Sequence, residues 1–157
     1  MQKKIFFEEL AVSFPDDFQV MDSQERIRYF GRDKGSEAIR CTERHLLIAF
    51  FHTKPSLFSR FTDTKSVANG WNLRYSRSLP QYSLVGRTSA VLCGQKAEGF
   101  DFTFKAVDKD VMQSGRMLVF RRKNYFYLTV CYGSADAVPD NLPLREEILN
   151  SMKLIDN

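Results

Sequence analysis

The chain has 157 residues, of which 43% are apolar and 14 are phenylalanine, and 23 basic against 19 acidic residues leave a net charge of +4. That length fits one domain, residues 1–157, which buries roughly 68–70% of its unfolded surface and so needs no metal or disulfide staple. The positive excess is diffuse, unlike the charged stripe of a dedicated nucleic-acid binder, and there is no internal repeat, low-complexity tract or linker.

The amino terminus starts as a secretory leader does and stops too soon. Glu8 and Glu9 end the apolar run Ile5-Phe6-Phe7, where a leader needs about 7–15 apolar residues. A cytoplasmic location is the expectation. Leu10–Phe14 alternates and stops at Pro15-Asp16-Asp17, after which Phe18–Met21 resumes, predicting a short amino-terminal hairpin. Asp22 to Gly31 reads as a helix: Asp22 caps the first turn, Glu25 completes a capping box, and Gly31 suits the carboxy-terminal cap.

Glu37–Cys41 and His45–Thr53 read as two strands about Thr42-Glu43-Arg44. The unbroken apolar run Leu46–Phe51 predicts a central strand buried on both faces; at six residues it is far short of the roughly 18 that span a bilayer. Pro55 and the polar residues after it break the pattern. Asp63 or Thr64 opens a second helix to about Tyr75, with Val67, Trp71 and Arg74/Tyr75 on one stripe. Gly70 weakens it by roughly 1 kcal/mol relative to alanine, and Ser78-Leu79-Pro80 ends it.

Four strands follow, at about Ser83–Cys93, Gly99–Val107, Met112–Arg122 and Tyr125–Tyr132. Phe100-Asp101-Phe102-Thr103-Phe104 carries the period-2 signature of a half-buried strand. Arg121–Asn124 sits between two apolar runs as a turn between antiparallel strands. A closing helix is predicted with Asn141 as its cap, Pro143 in its first turn, Glu146 and Glu147 near its positive end, and a Leu144, Ile148, Met152 core stripe. The fold class is therefore α/β (α+β), an antiparallel sheet flanked by helices on its faces.

Chemistry is harder to find. Cys41, Cys93 and Cys131 are odd in number and outside metal-ligand spacing, which predicts reduced, buried thiols, Cys93 and Cys131 within strands. His45 and His52 fall on opposite faces of one strand and cannot share a metal. No HExxH, CxxC, GxGxxG or phosphate-loop motif is present. Gly86–Ala90 lacks the second glycine of a nucleophile elbow. No cofactor, metal site or catalytic residue is expected from motifs. The enzymatic alternative is a site assembled in space from His45, Asp101 and Cys93. Asp101 is expected in solvent, or paired with Arg87 or Arg116 where a helix covers it. Tyr125 and Tyr127 share a face opposite Phe126, predicting a phenylalanine face in the core and a tyrosine face half covered by a helix. The candidate partner contacts are Arg74, Arg77, Arg116, Arg121, Arg122 and Lys123. If Arg74 and the hairpin tip shared a face their potentials would add, recruiting an acidic protein or nucleic acid; separate faces are the expectation.

Three stretches carry a resemblance: Val12-Ser13-Phe14-Pro15-Asp16-Asp17-Phe18, Asn124-Tyr125-Phe126-Tyr127-Leu128 and Ile148-Leu149-Asn150-Ser151-Met152-Lys153. With the order of elements, they make the chain resemble the PsbP-like α/β/α sandwich, which includes the extrinsic photosystem II protein, a Ran-binding nuclear import factor, and DcrB-like proteins with type VI secretion effector chaperones. Phe14–Asp22 with Glu25-Arg26 is similar to uncharacterised small proteins of Firmicutes. The resemblance implies a non-enzymatic adaptor or chaperone-like module with a protein partner. It brings no catalytic or cofactor residue to carry over.

Overall fold

A computed structural model describes residues 1–53, 61–106, 110–123 and 125–155. In chain order the elements are β1 Gln2–Phe6, β2 Leu10–Phe14, β3 Gln19–Val20, α1 Ser23–Phe30, β4 Ser36–Cys41, β5 Leu46–Thr53 and α2 Thr64–Ser78. Then come β6 Ser83–Leu92, β7 Gln95–Lys105, β8 Met112–Arg122, β9 Tyr125–Ser134, α3 Val138–Ser151 and β10 Lys153–Leu154. Seven strands form one sheet in the order β3-β4-β5-β9-β8-β7-β6, and β1-β2-β10 form a second, smaller one. Every pairing is antiparallel.

Strand alternation divides the core into two halves. Phe100, Phe102, Phe104, Met117, Val119, Phe126 and Leu128 point to one side of the large sheet, where α2 offers Val67, Ala68, Trp71 and Tyr75 and α1 offers Phe30. Leu118, Phe120, Tyr127, Ile48 and Phe50 point to the other, against Ile148, Leu149 and Met152 of α3 and Phe6, Val12 and Phe14 of the small sheet. The architecture is thus three layers: α1 and α2, the large sheet, then α3 with the small sheet. β5 lies third of seven, which is why its run from Leu46 to Phe51 is buried throughout.

Local signals fix both early helices. The Asp22 carboxylate accepts from the Glu25 amide at 2.8 Å, the Glu25 side chain caps back, and Gly31 closes α1 in the left-handed region at φ 70°. Asp63 caps α2 through the Ser66 amide at 2.7 Å.

Three expectations are corrected, at the amino-terminal hairpin, at the start of α3 and at Tyr127. The amino-terminal hairpin does not form as read: β2 pairs with β1 and β10, while the chain turns at Pro15 and sends β3 across to β4. β2 already has a neighbour on each edge, so no slot is left for β3. The Lys3- and Lys4-bearing segment resembling an abortive leader is itself strand β1, its exposed lysines suiting an outer strand. α3 begins at Val138, so Asn141 is not its cap and Pro143 lies inside it. Asn141 is buried instead, donating from Nδ2 to the Arg44 carbonyl at 2.7 Å. Glu146 and Glu147 therefore lie beyond the first turn. Finally, Tyr127 is buried, not half covered, and stacks on Phe120 with centroids 5.1 Å apart. The readings at Pro55, Val107 and Asn124 lie outside the described residues.

Candidate functional site

The residues of the enzymatic alternative do not meet. His45, at φ 53° in the turn before β5, lies beside Gly133 at the far end of β9. That end of the large sheet carries the start of β8 and the end of β7. Cys93 lies at the opposite end, in the two-residue turn joining β6 to β7. It is not in a strand: Cys93 at φ 53° and Gly94 at φ 74° give the two left-handed residues that a tight hairpin turn requires. Its thiol is half-buried, and burial pushes its pKa up to about 11, so it is a poor nucleophile at neutral pH. The Cys41 and Cys131 thiols are buried, and burial pushes Cys131 up to about 12. Asp101 sits in mid-β7, roughly 20 Å along the strand from the turn at 3.3 Å per residue.

Asp101 does find one of its expected partners. Arg116 lies directly opposite on β8 and grips the carboxylate with two bonds, Nε to Oδ1 at 2.7 Å and Nη2 to Oδ2 at 3.0 Å. Arg87 goes instead to Asn69 of α2. Arg116 is thus a cross-strand structural cation.

The other candidate cations split between two ends. Arg121 faces the α2 layer, its guanidinium 5.2 Å from the Phe126 ring centroid and donating to the Thr62 carbonyl at 3.4 Å, just before α2 begins. Arg74 and Arg77 lie near the other end of α2, where Arg74 stacks over Trp71 at 4.3 Å. Eleven residues separate Asp63 from Arg74, or roughly 16 Å of helix. That exceeds the roughly 8 Å Debye length at physiological salt, so the two groups do not add their potentials. Lys123 is exposed at the tip between β8 and β9, at φ 54°.

Arg122 points away from α2, into a cleft of about 600 Å³. The cleft lies between the Cys93-Gly94 turn and the end of α3, with Leu149, Asn150, Met152, Lys153 and Leu154 along one wall. Its size falls within the roughly 300–1,000 Å³ of small-ligand sites. Two residues of this end escaped sequence reasoning. Phe61, 82% exposed, stands next to Thr62 and so beside Arg121. Lys153 reaches the cleft only because β10 pairs with β2. The signal for the Cys93-Gly94 turn was present, since an X-Gly pair between strands marks a tight hairpin.

His52 has consequences for stability. Its ring stacks on Phe7 at 4.1 Å and Tyr125 at 5.3 Å, and among the described residues nothing bonds its buried Nδ1. Burial, reinforced by the charge of Arg32 and opposed by Glu9, holds its pKa below the ordinary 6.5. The unfolded chain therefore binds the proton first. This contribution is fully present above about pH 6.5 and is lost as pH falls toward the lower folded value. Urea midpoints at pH 7.5 and 5.5 are expected to fall less with pH in His52→Phe than in the native chain; equal slopes would contradict it.

No family model matches the chain, and no curated protein matches it. Its three-layer architecture nevertheless defines it as a PsbP/Mog1-like α/β sandwich at the level of fold. It is similar to cyanobacterial PsbP of Synechocystis sp. PCC 6803, at 12% identity and a TM-score of 0.67, over 98% of this chain and 92% of that one. It is also similar to LpqN of Mycobacterium tuberculosis, involved in cell envelope biogenesis, at 14% identity and a TM-score of 0.65 over 94% and 83%. The Ran-binding protein Mog1p of Saccharomyces cerevisiae matches at 10% identity and a TM-score of 0.60 over 99% and 97%. At such identities the likeness speaks for the fold alone. Among the described residues no helix is long and apolar enough to cross a membrane.

Proposed function

We propose that the chain is a non-enzymatic, adaptor-like bacterial protein of the cytoplasm, akin to small proteins of Firmicutes. It binds an acidic protein partner through the hairpin-tip end of the sandwich. The observation that carries this reading is the gathering there of Arg121, Lys123 and the 82%-exposed Phe61. An exposed aromatic beside arginine is the composition that dominates binding energy at protein interfaces. The separation of His45, Cys93 and Asp101 supports it from the other side. So does the Ran-binding neighbour of the same fold, whose partner is a protein.

The test is affinity purification from native cells with two baits, the native chain and Phe61→Ala/Arg121→Ala/Lys123→Ala. A stoichiometric partner on the native bait, reduced at least tenfold on the variant, is the expected result. Equal recovery on both baits, or no stoichiometric partner across growth conditions, would remove the proposal.

A further inference from the structure

Away from the hairpin tip, the large sheet ends on an open strand. β6 is the last strand of seven, and among the described residues β7 alone pairs with it. No backbone hydrogen bond from a described loop or helix covers its outer side. An open edge offers a row of amides and carbonyls to any strand that fits, and proteins usually blunt it with lysine, proline or brevity. The other edge of the large sheet, β3, has two residues, and the outer strand β1 of the small sheet carries Lys3 and Lys4. β6 has ten residues and among them no lysine, proline or carboxylate. Its irregularity is a bulge at Val85, where the register shifts between Leu84 and Gly86, and beyond it Gly86–Leu92 runs on as regular edge. We infer that this edge pairs with β6 of a second copy of the chain, antiparallel about a two-fold axis at Thr88.

The residues of the strand select its occupant. Counting outward from Thr88, Gly86 and Ala90 stand at two residues, Val85 and Val91 at three, and Leu84 and Leu92 at four. This nearly palindromic order sets small residues against small and valine against valine when the strand meets its own copy. Such a self-pair must centre on a residue, because directly opposite residues turn their backbone groups both to the seam or both away from it. Charge then chooses among the centres. Arg87, the one charged residue of the strand, donates to the neutral side chain of Asn69 on α2. On that same face, β7 places Glu98 beside Ser89 and Lys96 beside Val91. A centre at Arg87 would oppose two arginines, and a centre at Ser89 would set Arg87 in line with Val91 and Lys96 of the second copy. A centre at Thr88 sets Arg87 against Ser89 of the second copy, with its Glu98 one strand beyond, and symmetry does so twice. Two strand spacings are roughly 9–10 Å, within reach of an arginine and a glutamate meeting over a serine. The intrachain partner of Glu98, Lys96 at 3.3 Å, is a solvent-exposed lysine.

Sedimentation velocity of the full chain is expected to show a reversible monomer–dimer equilibrium in the micromolar range. Arg87→Glu is expected to weaken the dimer at least tenfold, and Arg87→Glu/Glu98→Arg to restore it to within threefold of the native chain. A thermal melt checks that both variants are folded. Geometry gives a second readout, because directly opposite Cα atoms stand about 4.5–5.5 Å apart, within the range that a disulfide bridges. Cys41 and Cys131 are buried and do not compete. In a Cys93→Ser background, Thr88→Cys is expected to give a disulfide-linked dimer at least tenfold faster than Lys65→Cys, an exposed position on α2. A chain that stays monomeric at millimolar concentration, a dimer indifferent to Arg87→Glu, a charge swap that restores nothing, or equal crosslinking at positions 88 and 65 would overturn the inference. So would a Thr88→Cys chain that, oxidised in native cell extract, links to another protein and not to itself; the edge would then take a partner's strand. None of these variants alters Phe61, Arg121 or Lys123, so the outcome is independent of the bait experiment.

Discussion

Replacing Phe102 with alanine is expected to cost about 3–5 kcal/mol of unfolding free energy, the usual price of emptying a buried aromatic site. The ring is 1% exposed and lies at the centre of an aromatic group, 5.3 Å from Tyr75, 5.6 Å from Phe100, 5.9 Å from Tyr82 and 6.0 Å from Phe104. Each such pair adds roughly 0.5–1.5 kcal/mol beyond its buried area. The loss would loosen α2 from β7, because Tyr75 and Tyr82 bracket the end of that helix. Thr103→Ala, one residue along and on the opposite face, is expected to cost no more than about 1 kcal/mol. Urea unfolding of the two variants checks the contrast, and similar losses would contradict the layer assignment.

A second large effect is expected at the glycines where sheet backbones approach. A methyl group at Gly99 would stand 1.7 Å from the Met117 carbonyl oxygen, and one at Gly133 would stand 1.9 Å from that of His45. Neither obstacle is a flexible side chain, so β7 must move from β8, or β9 from the His45 turn. Overpacking of this kind costs about 1–3 kcal/mol and sometimes more, and Gly99→Ala is expected at or above that range. Gly70→Ala is the control with the opposite sign. Nothing lies within 4 Å of its added methyl, and it sits in mid-α2. A gain of about 0.5–1 kcal/mol is expected there. Thermal melts of both variants decide it; stabilisation by Gly99→Ala or destabilisation by Gly70→Ala would contradict the packing described.

These two sites also show what the sequence disclosed. Phe102 could be assigned to the core because β7 alternates without interruption, and parity alone places Phe100, Phe102 and Phe104 together. The α1 boundaries were equally legible, since Asp22, Glu25 and Gly31 act on their own turn of backbone. Gly99 was opaque, because its constraint comes from a strand on which the sequence places no mark. The small sheet was hidden for the same reason. β10 has two residues, and Leu154 meets Leu10 from the other end of the chain, so no local pattern announces it. At α3, Asn141 offered a helix start, but its side chain is taken by the tertiary bond to the Arg44 carbonyl, and the helix begins three residues earlier, at Val138. The candidate site was legible as a composition and not as a place. Six cations could be named, yet strand parity sends Arg121 and Arg122 to opposite faces, and Asp101 claims Arg116.

The most direct measurement of the central claim is photo-crosslinking in native cells, with a crosslinking amino acid placed at Lys123 in one strain and at Arg77 in another. Lys123 stands at the hairpin tip, and Arg77 stands near the far end of α2. The proposal predicts a discrete crosslinked protein from position 123 that is absent from position 77. The same product from both positions, or one from position 77 alone, would contradict it.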